Sequence, residues 1–389
     1  MNTELKHDIR VQLADYFAEL KDPRQPINQM HLFHDLLVIS LCAIVCGADD
    51  WEAVADYAAA KEAWLRSFLP LPGGVPAHDT FWRVFRRLDA EQFQRCFVSW
   101  VAGMVKLKPG QVIALDGKQM RRSHDRSPEP GVGHAPLHML SAWATDNQLV
   151  LGQLRVDEKT NEITALPGLL SVLELEGCIV TLDALGTQTE VAQTILARGA
   201  DYLLALKENH PLLFADTELL FSDLAAAGVR LPPTAVAREV NKDHGRIEIR
   251  QAWVVSDPEI LQALQGSEKW PKLTALVKVE AERILPGKVE HNIRYYLASF
   301  PVEAQQAITL TRHHWHIENC LHWVLDIAFR EDECRLRKDH GPHNFAILRH
   351  MALNLLKQDK TSKLGIKNKR LRAGWDNDYL SAVIQPFIA

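Results

Sequence analysis

The chain has 389 residues, of which 47% are hydrophobic and 24% charged, with a formal net charge of -5. This is the make-up of a globular protein long enough for more than one domain, and it excludes a whole-molecule polycation, so any affinity for phosphate has to come from local clusters of Lys and Arg. The six cysteines, at 42, 46, 96, 178, 320 and 334, form no Cys-x-x-Cys pair and read as reduced core residues rather than a disulfide framework or zinc site.

Met1 to Asp22 is charged throughout and lacks the apolar segment of a secretory signal. Leu32 to Ala48 is the most hydrophobic stretch, but it contains His34 and Asp35 and falls short of the ~20 apolar residues of a membrane span. A buried helix and a cytoplasmic protein without a span are expected. Residues 1–105 read as helices over Leu5–Leu20, Leu32–Val45, Trp51–Leu69, Asp79–Leu88 and Glu91–Met104, interrupted by Pro70-Leu-Pro-Gly-Gly-Val-Pro76. The fourth carries Arg83, Arg86 and Arg87 behind Phe81, Trp82 and Phe85. A basic helix after a turn suits DNA docking, and equally the solvated face of a bundle.

From Gln111 the pattern turns strand-like. Val112 to Lys118 is an apolar run ending in Asp116-Gly117, followed by Arg121 and Arg122; His138–Ala144 and Leu149–Val156 read as two further strands. A helix over Thr164–Leu175, a strand over Cys178–Asp183, a helix over Glu190–Arg198 and a strand over Tyr202–Ala205, which leads to Lys207, complete a mixed α/β core. The runs Arg238–Val255, Leu273–Ile284 and Val289–Ser299, carrying Arg246, Arg250 and Arg294, predict a β-rich insertion.

In Arg312–Asp332, the residues Trp315, Ile317, Leu321, Trp323, Val324 and Leu325 recur at helical spacing, while His314, Glu318 and His322 lie four apart on one face. That face is either a solvated stripe or, with two tryptophans flanking it, the cleft side of a largely buried helix. A buried carboxylate is costly unless paired or bound to a metal, which directs attention to Asp116 and Asp183 at two strand ends. Beyond Asp332, a helix over Asn344–Lys357 leads into Lys357–Arg372, with seven basic residues against the single acidic Asp359. Such a run is a solvated tail or one that tracks a phosphate backbone.

The segments IALDGK (113–118), VTLDALGTQ (180–188), YLLALKENH (202–210) and RHHWHIENCLHWVLDIAFREDECRLRK (312–338), together with DPRQP (22–26) and PAHDTFWRVFRRLD (76–89), cover the chain nearly from end to end. With them the chain resembles the DDE insertion-sequence transposases of the H-repeat-associated (ISAs) type. The resemblance implies a ribonuclease H-like core with a β-rich insertion, preceded by an all-helical N-terminal domain. Its parts are a DNA-recognising region over 1–105, the first part of the core over 106–210, the insertion over 211–305, and the catalytic helix with a basic C-terminal tail over 306–389. In that fold the first and fourth strands are neighbours, bringing Asp116 and Asp183 together.

The resemblance further implies a catalytic triad of Asp116, Asp183 and Glu318 holding two Mg²⁺ or Mn²⁺ ions, for which hard oxygen ligands are suited. Lys118 and Lys207 would neutralise phosphate charge, with Arg121, Arg122, His314, Arg83, Arg86 and Arg87 as further DNA contacts. His314 or His322 would orient Glu318. The partners would be double-stranded DNA, as terminal inverted repeats and target, and a second copy of the chain, with action at the nucleoid. The chain departs from the Tyr, Arg, Glu, Lys signature of the wider group, whose positions are Thr311, His314 and Leu325 around Glu318.

Other chemistries lack their motifs. Four histidines cluster near Glu318, but no HExxH is present, nor a GxxxxGK[ST], GxGxxG or GxSxG element. The alternative within reach is a catalytically inactive, transposase-derived DNA-binding protein.

Overall fold

The computed structural model describes residues 13–124, 136–156, 161–243 and 245–388. Of the first expected helix only α1 (Leu13–Phe17) falls within them. The helical start continues through α2 (Phe33–Val45), α3 (Trp51–Ala60), α4 (Glu62–Leu65), α5 (His78–Arg87) and α6 (Ala90–Met104). Asp50 and Asp89 cap α3 and α6, accepting from the amides of Ala53 and Gln92.

Three strands follow, β1 (Val112–Gln119), β2 (His138–Ala144) and β3 (Leu149–Val156), paired antiparallel in turn. After α7 (Glu162–Ser171), β4 (Ile179–Leu182) returns parallel to β1 with Ile113 opposite Val180. After α8 (Thr189–Ala197), β5 (Asp201–Leu206) lies parallel to β4. The next helix, α9 (Pro211–Ala226), escaped the sequence reading. Its apolar residues come in two runs of three, Leu212–Phe214 and Leu219–Phe221, with Leu212 and Leu219 exposed, which blurs the helical period.

Then β6 (Val236–Asp243), β7 (Arg246–Val255), the short α10 (Pro258–Ala263), β8 (Ala275–Leu285) and β9 (Lys288–Ala298) form an antiparallel meander. The run Arg238–Val255 is thus two strands, turning where Gly245 takes a positive φ of 77°. Moreover, β9 pairs with β5, Leu206 opposite Tyr295. The stretch expected as an insertion therefore continues the main sheet, whose order is β3-β2-β1-β4-β5-β9-β8-β7-β6. The last helices are α11 (Ala304–His314), α12 (Trp323–Phe329), α13 (Gly341–Gln358), α14 (Ile366–Trp375) and α15 (Asn377–Ile388), with a wide π turn at Glu318–His322 joining α11 to α12.

Strand alternation divides the sheet's side chains between two cores. Val112, Ile179, Leu203, Val277 and Tyr296 meet Ala307 and Ile308 of α11 on one face. Ile113, Val180, Tyr202, Leu204 and Leu297 belong to the larger core, which runs unbroken into the N-terminal helices and α13. Every residue of α13 from Gly341 through Leu356 is buried. Trp51 stacks on Phe85 and meets Phe345 of α13 edge-on at 4.9 Å, and Asn344 Nδ2 donates to the carbonyls of Phe85 and Leu88 at 2.7 and 2.8 Å. The helices before β1 therefore share a core with α13.

The basic run 357–372 is no free tail. Lys369 is buried against Asp359 at 3.2 Å, and Arg370 donates to the carbonyl of Ile44 and to Asp49 while its guanidinium lies 4.2 Å from the Phe329 ring centre. These two of the seven cations hold α14 to the body. Among the described residues no helix is long and apolar enough to cross a membrane, and all six cysteines are free thiols.

The outer strand β3 is finished by α13. Asn354 accepts from the Val150 amide through Oδ1 and donates to the Val150 carbonyl through Nδ2, both at 2.9 Å, which gives this edge position the partners a further strand would supply. In Asn354→Leu both groups stay buried and unpaired, at about 1–3 kcal/mol each. We expect a loss of about 3 kcal/mol in urea unfolding; an unchanged midpoint would show that water replaces the side chain.

Candidate active site

Four residues of β1, Val112 to Leu115, are buried, and the strand opens toward solvent from Asp116 onward. Asp116 and Lys118, in step with Val112, lie on the face that α11 covers. On the neighbouring strand β4, Ile179, Thr181 and Asp183 share that face. Asp183 follows the last strand residue and is exposed, its Oδ1 accepting from the Gly186 amide at 3.1 Å. Two carboxylates thus emerge from adjacent parallel strand ends.

Glu318 comes from the chain passing overhead, at the first position of the π turn. Here the structure departs from the expected buried helix. Trp315 and Trp323 are 44% and 60% exposed, and the buried stripe is Ile317, Leu321, Leu325 and Phe329. The tryptophans lie off that stripe; the Arg294 guanidinium covers Trp315 at 4.4 Å from the ring centre. The expected common face of His314, Glu318 and His322 divides as well. His314 leaves toward β4, its Nδ1 3.1 Å from Thr181 Oγ, while Glu318 and His322 reach Asp116 on β1.

Glu318 and His322 form a group with Asp116 in which one ligand atom from each lies within 4.8 Å of the others. His322 Nδ1 is 3.7 Å from Asp116 Oδ2 and 3.8 Å from Glu318 Oε2. Burial pushes the Asp116 carboxyl up to about 8, helped by the charge of Glu318, a hydrogen bond shared with it, and the charge of Asp183. Burial, with Lys118 and His350 nearby, holds His322 neutral, down to about 3; burial likewise takes His314 down to about 4, against the pull of Asp183.

The nearest cation on this face does not relieve the repulsion. Lys118, expected at phosphate, instead binds Glu331 at 2.8 Å and also Asp326. Glu331 is only 4% exposed; burial raises its carboxyl, but Lys118, Arg349 and His350 together bring it below the usual range. This ion pair ties β1, two residues beyond Asp116, to the segment that carries Glu318. It was missed because only the fold brings Lys118 and Glu331 together.

The other expected contacts are dispersed. Arg121 pairs with Asp332 at 3.1 Å, and Arg122 lines a cleft with Trp51, Trp82 and Arg335. Arg83 pairs with Asp79, Arg86 pairs with Asp339 and lies over Trp82, and Arg87 is exposed. Lys207 is exposed just past the end of β5.

Asp116 and Glu318, beside the neutral imidazole of His322 and with the neighbouring lysine engaged elsewhere, suit a divalent cation as the missing charge, while Asp183 acts on Asp116 from the adjacent strand end. The model of the Transposase DDE domain matches residues 107–355, and the DDE_Tnp_1-associated model matches residues 14–101. The chain belongs to the DDE transposase family.

Membership implies use of a divalent metal. This transposase chain is 35% identical over 376 residues to the "H repeat-associated putative transposase YhhI" of Escherichia coli, covering 96% of this chain and 97% of that one. It is 43% identical over 286 residues to the protein of Xanthobacter autotrophicus named for the dhlA 3' region, covering 73% and 93%. Among solved structures, the chain of a piggyBac transposase synaptic complex with hairpin DNA is similar at 10% identity and a TM-score of 0.42, over 96% of this chain and 76% of that one, too faint a likeness to bear on the fold.

Two outcomes are expected in this DDE transposase. Lys118→Met strands the Glu331 carboxylate in the interior and should cost about 3 kcal/mol in denaturant unfolding; no loss would mean that the carboxylate finds another partner. For Asp116, the folded carboxyl keeps its proton up to about 8, whereas the unfolded one releases it near 4. The metal-free fold therefore loses stability as pH rises through that window. Asp116→Asn should melt above the wild type in EDTA at pH 8, with the gap closing toward pH 4, in a thermal scan at both values.

Proposed function

We propose that the chain binds the terminal inverted repeats of its own insertion element, cuts next to a 3′ end and joins that end to target DNA. The observation that carries this reading is the meeting of Asp116 on β1 with Glu318 in the turn above it, with Asp183 at the adjacent strand end close enough for its charge to act on Asp116. The order β3-β2-β1-β4-β5, with β1, β4 and β5 parallel, supports a ribonuclease H-like core. Asp116, Asp183 and Glu318 would be the residues to hold two Mg²⁺ or Mn²⁺ ions. When bound, the ions supply activation of water or a 3′-hydroxyl and stabilise the leaving oxygen in an in-line displacement at phosphorus.

The chain's own residues set the stage for that chemistry. The proton that Asp116 keeps in the metal-free site is displaced as the carboxylates become ligands. His314, bonded to Thr181, holds the end of α11 against β4 beside Asp183. Lys118 holds the strand and helix together from within, while Lys207, Arg121 and Arg122 stand where backbone phosphates can meet them. The helix α5, with Arg83, Arg86 and Arg87, is assigned to recognition of the repeat. Joining two element ends calls for two copies of the chain, so the working complex is a dimer on DNA.

A cleft of about 560 Å³ is lined by Arg246, Arg250, Arg294 and Arg312, with Glu248, Glu282 and Glu290 among them, and reaches Trp315 and Asn319 on the turn that carries Glu318. Arg246 and Arg250 share Glu248, and Arg312 pairs with Glu239. Arg294 donates to Asn292 and lies over Trp315, which leaves its charge for a phosphate. We assign the cleft to the DNA backbone.

Cleavage of a labelled duplex carrying the element's own ends, with Mg²⁺, Mn²⁺ or EDTA, tests the reading. The expected result is metal-dependent nicking at the repeat end that Glu318→Gln abolishes. Binding without nicking under every condition would make the chain an inactive DNA-binding relic, and no binding would overturn the DNA assignment. Arg294→Ala should weaken duplex binding and reduce the slope of log affinity against log salt by about 1; an unchanged slope in a salt titration removes the cleft from the DNA path.

A further inference from the structure

We propose that His322 is a ligand of the metal, through Nδ1, alongside Asp116 and Glu318, so that the site has a mixed nitrogen and oxygen donor set. The inference rests on reading those two carboxylates as metal ligands and adds a residue outside the triad.

Its first ground is geometry. Donor atoms around one ion with bonds of ~2.1 Å lie about 3.0 to 4.2 Å apart. His322 Nδ1 stands 3.7 Å from Asp116 Oδ2 and 3.8 Å from Glu318 Oε2, inside that span and just beyond hydrogen-bond length. The ring therefore stands off from both carboxylates, which share a hydrogen bond with each other, at a spacing that leaves room for an ion.

Its second ground is the state of the ring. The His322 side chain is 7% exposed, and Nε2 has no hydrogen-bond partner. A buried polar ring without a firm bond at either nitrogen is costly. A cation at Nδ1 satisfies one side and fixes the tautomer with the proton on Nε2. His322 also lines a small void of about 10 Å³ with Lys118, Glu331 and His350, where Glu331 is held by Lys118 at 2.8 Å and leaves Nε2 unbonded. The π turn places the ring by keeping His322 in contact with β1 while Leu321 and Leu325 stay in the core.

An imidazole among carboxylates favours transition-metal ions over Mg²⁺ and Ca²⁺. The test uses Mn²⁺ alone on the full-length, metal-free chain, without DNA or turnover. Titration read by the loss of the free-ion electron paramagnetic resonance signal yields affinity; pulsed measurements on the bound ion report a directly coordinated nitrogen. We expect nitrogen coupling in the wild type, its loss in His322→Ala, a Mn²⁺ affinity at least about ten-fold weaker in that variant, and little change for Mg²⁺ measured by competition. His322→Asp, an all-oxygen set, should bind Mn²⁺ again without the coupling and narrow the gap to Mg²⁺.

Binding that depends on Asp116 but shows no nitrogen coupling in the wild type overturns the role of His322 and leaves the carboxylate site standing. Absence of any Mn²⁺ binding that Asp116→Asn removes overturns the metal reading itself. The wild-type spectrum decides between these even where a variant fails to fold, which a thermal melt of each variant reveals.

Discussion

A helix buried on every side has to be surrounded, and α13 sets that constraint for the whole molecule. Its polar residues are not exempt from burial, and its two asparagines have partners brought to them. Asn344 takes the carbonyls at the end of α5, Asn354 completes the edge of the sheet at Val150, and Arg349 lies over Phe345 in the neighbourhood of Glu331. The N-terminal helices and the sheet are two halves of one sleeve around this helix. That arrangement explains why a chain with an all-helical start and a strand-rich middle builds a shared core rather than two separate ones.

The proposed site sits where the sleeve is under electrostatic stress. Strand β1 brings Asp116 to the rim of the core, β4 brings Asp183 to the adjacent strand end, and the turn after α11 lowers Glu318 onto Asp116. Left to themselves these groups repel, and Asp116 answers by keeping its proton. The counter-charge from the protein is present one step deeper, as Lys118, and it is used to pin Asp326 and Glu331 instead. The fold thus separates two tasks that a single lysine might have been expected to combine: holding the elements in register, and neutralising the site.

The sequence disclosed the parts of this arrangement that depend on local pattern. Apolar runs ending in aspartate located β1 and β4, helical spacing located Glu318, and the helical start before β1 was legible from its breakers, although the run Trp51–Leu69 divides into α3 and α4. What escaped it depends on packing. Only a pairing between Leu206 and Tyr295 reveals that β6 to β9 extend the main sheet, and no periodicity encodes that choice of neighbour. Trp315 and Trp323 count as apolar in any pattern, yet their rings cover surface rather than core. The cations of 357–372 look alike in one dimension, but Lys369 and Arg370 face inward. His322 was visible four residues after Glu318; its nearness to Asp116 was not, because that requires knowing which strand lies beneath.

The wide turn at Glu318–His322 bears on what changes in length the chain tolerates. In an ordinary helix each residue advances the side chains by about 100° around the axis. Deleting one residue from this turn would restore regular winding, but it would swing either Glu318 away from Asp116 or Leu325 and Phe329 out of the core. Glu318–His322 is accordingly a segment whose residue number is locked by two demands at once, one from solvent-side chemistry and one from the interior. Substitutions there trade one side chain for another; a single-codon deletion would set the proposed site and the core against each other.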